Sequence, residues 1–177
     1  MTWPGVVAPG TTCSEPIIGV DLYPTLLAMT GAKAPRGQPL DGENLLPLFT
    51  GKKEALSRDA IFWHFPAYLQ SYNRYNEQRD PLFRARPCSV VRSGDWKLHH
   101  LFENNSCELY NLRSDIGETK NLASAHPERV TVLRALLDAW RNDINAPIPT
   151  TPNPDYDAAA EQQAIARALA PKKLKSR

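Results

Sequence analysis

The stretch CSVVRSGDWKLHHLFENNSCELYNL, residues 88–112, decides the fold. It contains three runs rich in β-branched, aromatic and aliphatic residues, Cys88–Arg92, Trp96–Glu103 and Glu108–Leu112. The first two are separated by Ser-Gly-Asp and the second two by Asn-Asn-Ser, both sequences that close tight turns. Short strands joined by short turns predict an antiparallel meander. Alternation along the middle run places Trp96, Leu98, His100 and Phe102 on one face and Lys97, His99, Leu101 and Glu103 on the other. The adjacent histidines therefore point in opposite directions and cannot readily chelate one ion. Cys107 lies just past a turn, with no base or cation placed beside it by spacing, so an inert thiol is the plainer reading.

A meander with one apolar face needs a cover. His126-Pro127 opens a segment in which Val130, Leu133, Leu136, Leu137 and Trp140 recur at helical spacing, predicting a helix over 127–142 packed on the sheet. Upstream, Ala60–Phe65 reads as a further strand. Between them, residues 67–87 show no clear period and hold four aromatics (Tyr68, Tyr72, Tyr75, Phe83) and four arginines (Arg74, Arg79, Arg84, Arg86). Long aperiodic loops in compact domains often carry function.

Nearer the N-terminus, Ile17, Ile18 and Val20 suit a short buried strand. Asp21 stands where a helix N-cap belongs, Pro24 falls in the first turn, and Leu22, Leu26, Leu27 and Met29 follow as an apolar stripe ended by Gly31. Leu45–Phe49 reads as one helical turn. After Asn145 a proline-rich strap leads to Ala158–Ala170, which has high helix propensity and a thin apolar face, and then to a basic tail. The expected organisation is α+β: a small antiparallel sheet of about four strands packed by a long helix, preceded by a strand–helix segment. The expected divisions are 1–52, 53–145 with its strap to 157, and 158–177.

With 21 basic and 19 acidic residues among 177, the net charge of +2 makes no general case for nucleic acid or membrane partners. No apolar run approaches the roughly 18–20 residues of a membrane helix, and Met1–Thr12 lacks the pattern of an export signal. Cys13, Cys88 and Cys107 form no metal-binding spacing. Their odd number favours three thiols over a disulfide framework, with one pair and a free thiol as the alternative. Phosphate-binding glycine loops, H-E-x-x-H and G-x-S-x-G are all missing from the sequence. No catalytic residue and no metal ligand is assigned in this chain.

The candidates that remain are for substrate binding: His64, Arg84 and Arg86. His64 ends a strand and opens the long loop, and guanidinium groups suit sulfate, phosphate or carboxylate. Solvation of loop arginines is the competing reading. Capping for Asp21 and a turn for Asp41 outweigh a metal role for either.

The order of segments resembles a known family. WPGVVAPGTT, VDLYPTLLAMTGA, LDGENLLPLFTG, IFWHFPAY, SVVRSGDWKLHHLFE, ELYNLRSDIGETKNLA and HPERVTVLRALLDAWR, followed by PNPDYD, look like the C-terminal third of the type I sulfatases of the alkaline-phosphatase superfamily. The resemblance covers residues 3 to about 157. It implies a hydrolase of sulfate esters, using a formylglycine made within C/S-x-P-S/A-x-R and a calcium ion held by aspartates and an asparagine. It also implies a C-terminal sheet of four strands packed by a long helix beside a large α/β domain, to whose end residues 1–52 would belong.

This chain departs from that pattern where the chemistry lies. Its cysteines read C-S-E-P, C-S-V-V and C-E-L-Y, so none fits the nucleophile motif, and the calcium ligands belong upstream. The resemblance therefore implies a missing N-terminal catalytic portion as partner, a sulfated small molecule or glycan as substrate, calcium in the full-length protein, and an inactive isolated chain. Asp21, Pro24 and Thr25 match the family's D-x-x-P-T as structural support. His64 matches W-H-x-P-H-Y, but Ala67 replaces the second histidine. The family is commonly periplasmic, secreted or lysosomal. Two rivals follow from the same residues: a stand-alone module binding sulfated glycans through His64 and the arginine-rich loop, and a phosphate-ester hydrolase of the same superfamily.

Overall fold

The turns build the meander as their residues demand. The computed structural model describes residues 2–70 and 80–170. Strands β4 (Cys88–Ser93), β5 (Trp96–Leu101) and β6 (Cys107–Asn111) pair antiparallel, and β1 (Ile61–Phe65) completes a four-stranded sheet in the order β1-β4-β5-β6. The register sets Val91 opposite Leu98 and Leu98 opposite Leu109, and all three are fully buried. This row is the floor of the core. Its cover is a helix over Pro127–Asp143, as the spacing predicts, with Leu133 and Leu137 buried against the sheet. Trp140 of that helix stacks on Phe62, ring centroids 4.8 Å apart.

Two details differ from the periodic reading. Leu136 stays 36% exposed, and Arg141 takes a buried place on the helix instead. The middle strand stops at Leu101 rather than Glu103, because the chain turns through Phe102–Asn105 with Asn105 in the left-handed region at φ 55°. Glu103 therefore leaves the face alternation and reaches sideways.

The segment 67–87, expected to be irregular, contains a small ribbon: β2 (Leu69–Gln70) pairs antiparallel with β3 (Phe83–Ala85). Strands of two and three residues are too short to show a period. Tyr72, Arg74, Tyr75 and Arg79 of that loop, and the basic tail 171–177, lie outside the described residues.

The chain divides into two compact units, Met1–Ile61 and Phe62–Arg177. In the first, α1 (Leu22–Thr30) ends at Gly31, whose φ of 71° takes the left-handed conformation that a side chain resists. Residues 11–18 run without a ladder partner, and a 3-10 turn over Gly19–Asp21 leads into α1. The expected strand at Ile17–Val20 is thus not formed among the described residues. An apolar run becomes a strand when a neighbour pairs with it, and Ile17 and Val20 are instead about half exposed, at 51% and 48%. The core of this unit is small: Leu45 and Leu48, the latter on α2 (Leu46–Phe49), with Thr25, Asp21 and, at the boundary, Ile61. A Cβ at Gly42 would lie 2.2 Å from the Val20 carbonyl oxygen, so the backbones touch there because residue 42 has no side chain.

In the second unit, α3 is the covering helix Pro127–Asp143 and α4 spans Ala158–Leu169. Asp157 caps α4 by accepting from the amides of Ala159 and Ala160 at 2.8 and 3.0 Å. No α4 residue is buried, as its thin apolar face suggests.

Candidate functional site

His64 stands on β1 with both ring nitrogens engaged. Its Nε2 lies 2.8 Å from the Pro147 carbonyl oxygen and its Nδ1 2.8 Å from the Ser89 hydroxyl. A carbonyl only accepts, so Nε2 carries the proton and donates it there. In the neutral ring, Nδ1 then accepts from Ser89. His64 thereby ties the proline-rich strap to buried Ser89 of the sheet.

Arg86 is held by carboxylates. Its Nε donates to Asp80, its Nη1 to both oxygens of Glu103 at 2.8 and 3.0 Å, and its Nη2 to Glu161 at 3.4 Å. The Phe83 ring lies under the same guanidinium, 5.0 Å from its centroid. Burial alone would lower the Arg86 pKa, but Asp80 and Glu103 raise it above its ordinary value. The Asp80 carboxyl, which burial pushes up, is pulled below its ordinary value by Arg86 and by the Leu82 and Phe83 amides. Arg84, on β3, is exposed and stands apart from this cluster. Of the three candidates, His64 and Arg86 therefore make fixed contacts, while Arg84 makes none with the described residues that orders it.

Between the strap and the end of the sheet lies a cavity of about 510 Å³, lined by Tyr68, Phe102, Glu103, Tyr156, prolines and strap residues. His64 packs against one wall residue, Phe102, with centroids 5.8 Å apart, and Arg86 grips another, Glu103. The Tyr68 phenol donates to Glu103 at 2.6 Å; burial and that carboxylate push its pKa up to about 12.

Two further polar centres escaped the motif reading. Asp21 is fully buried and stands at the N-cap position of α1, yet its side chain makes no cap bond to that helix and turns back to the amide of Ile18 instead. Its carboxylate accepts from Arg58 Nη1 and Nη2 at 2.5 and 2.6 Å, from the Ile18 amide at 2.8 Å and from the Glu43 amide at 3.0 Å. Four donors around one carboxylate displace the capping role first assigned to it. Burial works against this carboxylate, yet Arg58 and the amides bring its pKa below the ordinary value. Thr25 matches this arrangement, donating to the Asp21 carbonyl at 2.6 Å and accepting from the Leu45 amide at 2.9 Å. Asp21 and Thr25 are buried support, as the resemblance implies.

The second centre lies under α3. His100 Nδ1 sits 2.8 Å from Arg141 Nη1, and its Nε2 sits 2.8 Å from Asn105 Oδ1. Arg141 can only donate, so Nδ1 is the acceptor and Nε2 holds the proton. Asp138 takes the other arm of Arg141. His99 faces away, 2.9 Å from Glu118 and edge-on to Tyr110. The two histidines thus serve opposite faces of β5. Among the described residues, no group of three or more His, Cys, Asp or Glu side chains is placed to hold a metal ion.

The sheet order, the covering helix and the D-x-x-P-T support point to one family. Residues 1–143 match the family model described as N-sulphoglucosamine sulphohydrolase, C-terminal, and the chain belongs to that family. A sulfatase of Formosa agariphila is 35% identical over 161 residues, covering 82% of this chain and 27% of its own length. A solved structure bound to its substrate D-glucosamine-2-N,6-O-disulfate superposes with a TM-score of 0.65 at 21% identity, over 84% of this chain and 29% of that one. A solved 2-O GAG sulfatase gives a TM-score of 0.54 at 28% identity, over 71% of this chain and 25% of that one. The chain thus spans between a quarter and a third of the length of each of these three proteins.

Proposed function

We propose that this chain is the C-terminal portion of a sulfuric ester hydrolase acting on a sulfated sugar, and that it has no turnover alone. The reading takes its chemistry from the family and its substrate class from the GAG sulfatase it resembles. One observation carries it: the first unit buries an ion pair while leaving five large apolar side chains of residues 17–26 exposed. Asp21 and Arg58 are paired within, while Ile17, Val20, Leu22, Tyr23 and Leu26 are 43–55% exposed. So many exposed apolar side chains within ten residues, beside a buried ion pair, favour a surface that a further segment covers. The catalytic portion of the same enzyme is the segment that covers it. The nucleophile, a formylglycine, and the calcium ion belong to that portion. The described residues here offer no carboxylate cluster to fit the ion, and no cysteine here sits in the required motif.

The competing module, gripping sulfate through His64, Arg84 and Arg86, has less in its favour, since His64 and Arg86 already spend their donors within the protein. The test is hydrolysis of 4-methylumbelliferyl sulfate with calcium present. The chain alone gives background rates, and mixing it with the N-terminal portion of the Formosa relative restores turnover. Hydrolysis by the isolated chain would refute the proposal.

A further inference from the structure

The cavity beneath the strap is built to hold something, and its charge says what. Among the described residues, three carboxylates, Asp80, Glu103 and Glu161, converge on one guanidinium, Arg86, and of these Glu103 lines the cavity. A sulfate or phosphate entering there meets the Glu103 carboxylate and finds Arg86 already engaged with it. The walls are apolar and aromatic: Tyr68, Phe102 and Tyr156 supply rings, and Pro87, Pro149 and Pro152 supply rigid faces. Both tyrosines are fixed by their hydroxyls, Tyr68 on Glu103 and Tyr156 on Glu161, each at 2.6 Å. Their ring planes are therefore set before any ligand arrives.

Polar groups are few and short. Thr150, Thr151 and Asn153 line the strap side. Glu103 accepts Tyr68 and two contacts from Arg86, so of the roughly four acceptor positions on a carboxylate one is left for a hydroxyl donor. Aromatic faces with a hydroxyl acceptor, and no cation among the described lining residues, match an uncharged, hydroxyl-rich ring. The volume of about 510 Å³ falls within the roughly 300–1,000 Å³ usual for small-ligand sites.

We propose that this cavity is a saccharide subsite that takes an unsulfated pyranose ring of the substrate and rejects a sulfated one. The inference rests on the sulfated-sugar reading above and specifies which part of that substrate meets this chain. Specificity comes from Glu103 as much as from the rings, because a carboxylate in the wall disfavours an anionic ligand group.

The test titrates the ¹⁵N-labelled chain with three uncharged disaccharides, chitobiose, cellobiose and neoagarobiose, and with 6-O-sulfated chitobiose and 4-nitrophenol as contrasts. At least one uncharged disaccharide shifts the amides of Thr150, Thr151, Asn153 and Tyr156, and the sulfated one binds more weakly. Tyr156→Ala weakens binding about five-fold, the scale of one lost aromatic contact, whereas Tyr156→Phe keeps the ring and stays close to the parent. Tyr156 is 62% exposed, so both variants are expected to fold. The proposal is overturned if no uncharged disaccharide moves the strap amides, if the sulfated disaccharide binds more tightly, or if 4-nitrophenol binds as well as the sugars. Failure of the reassembled enzyme to cleave aryl sulfate would count against the hydrolase reading and leave these shifts unaffected.

Discussion

The two compact units use opposite means to hold together. The second is a sheet–helix sandwich whose centre is aliphatic: Val91, Leu98, Leu109 and Leu137 are fully buried, with Arg141 and His100 as a buried polar pair beside them under α3. The first has, among its described residues, Leu45, Leu48 and, at its boundary, Ile61 as buried aliphatic residues, and its centre is a carboxylate. Burial of apolar surface contributes about 25 cal/mol for each Å² removed from water. A unit that leaves Leu22 and Leu26 each 55% exposed forgoes much of that gain. The second unit has the composition of a core that stands by itself, and the first that of a piece cut from one.

Breaking the buried pair should have the largest effect. Asp21→Ala removes the acceptor for four donors and leaves the Arg58 guanidinium, 18% exposed, without its partner. Removing one side of such a pair costs about 3–5 kcal/mol. Amide exchange should accelerate over α1 and α2 while the amides of β4, β5 and β6 keep their protection. Equal loss in both units would show that the contrast drawn here is wrong.

Leu98→Ala is the mirror experiment, with a somewhat smaller cost of about 2–5 kcal/mol from lost transfer energy and the cavity left behind. Leu98 is fully buried between Val91 and Leu109 beneath α3. The urea midpoint of the sheet unit should fall, and exchange should accelerate across the meander and α3. An unchanged midpoint would mean that the row is not the centre of the core.

These two sites also mark how far the sequence could be read. The Val91–Leu98–Leu109 row was legible, because strand alternation and two good turns fix a register with no knowledge of distant residues. The long helix was legible for the same reason, through its 3.6-residue period. Asp21 was not. Its partner Arg58 lies 37 positions away, and nothing local distinguishes a buried acceptor from a helix cap. Arg86 was singled out for its chemistry, but its carboxylates lie 6, 17 and 75 positions distant, so the saturation of its charge emerges from the fold alone. The run at Ile17–Val20 misled because apolar β-branched residues mark burial rather than pairing. Their burial, in the proposed assembly, depends on a segment outside this chain.

Acid should separate the two units by a smaller effect. His100 is 4% exposed, and burial, followed by the charges of Arg134 and Arg141, lowers its pKa below the ordinary 6.5, against a raising contribution from its bond to Asn105. Its neutral Nδ1 accepts from Arg141, so protonation would replace a hydrogen bond with two facing cations. A base with a depressed pKa in the folded state binds protons more readily when unfolded. Stability is therefore full above pH 6.5 and falls as the pH drops through that value toward the lowered one. His99, also depressed, chiefly by burial and then by Lys97, adds a slope of the same sign. Asp21 behaves differently: its carboxyl titrates below the ordinary 3.8, so the first unit keeps its ion pair across the whole range in which the second weakens. Urea midpoints of the sheet unit should decline between pH 7 and pH 5, and His100→Gln should flatten that decline, because glutamine can still accept from Arg141 but does not titrate. If the slope persists in His100→Gln and vanishes in His99→Gln, the sensitive joint lies on the face of β5 away from α3.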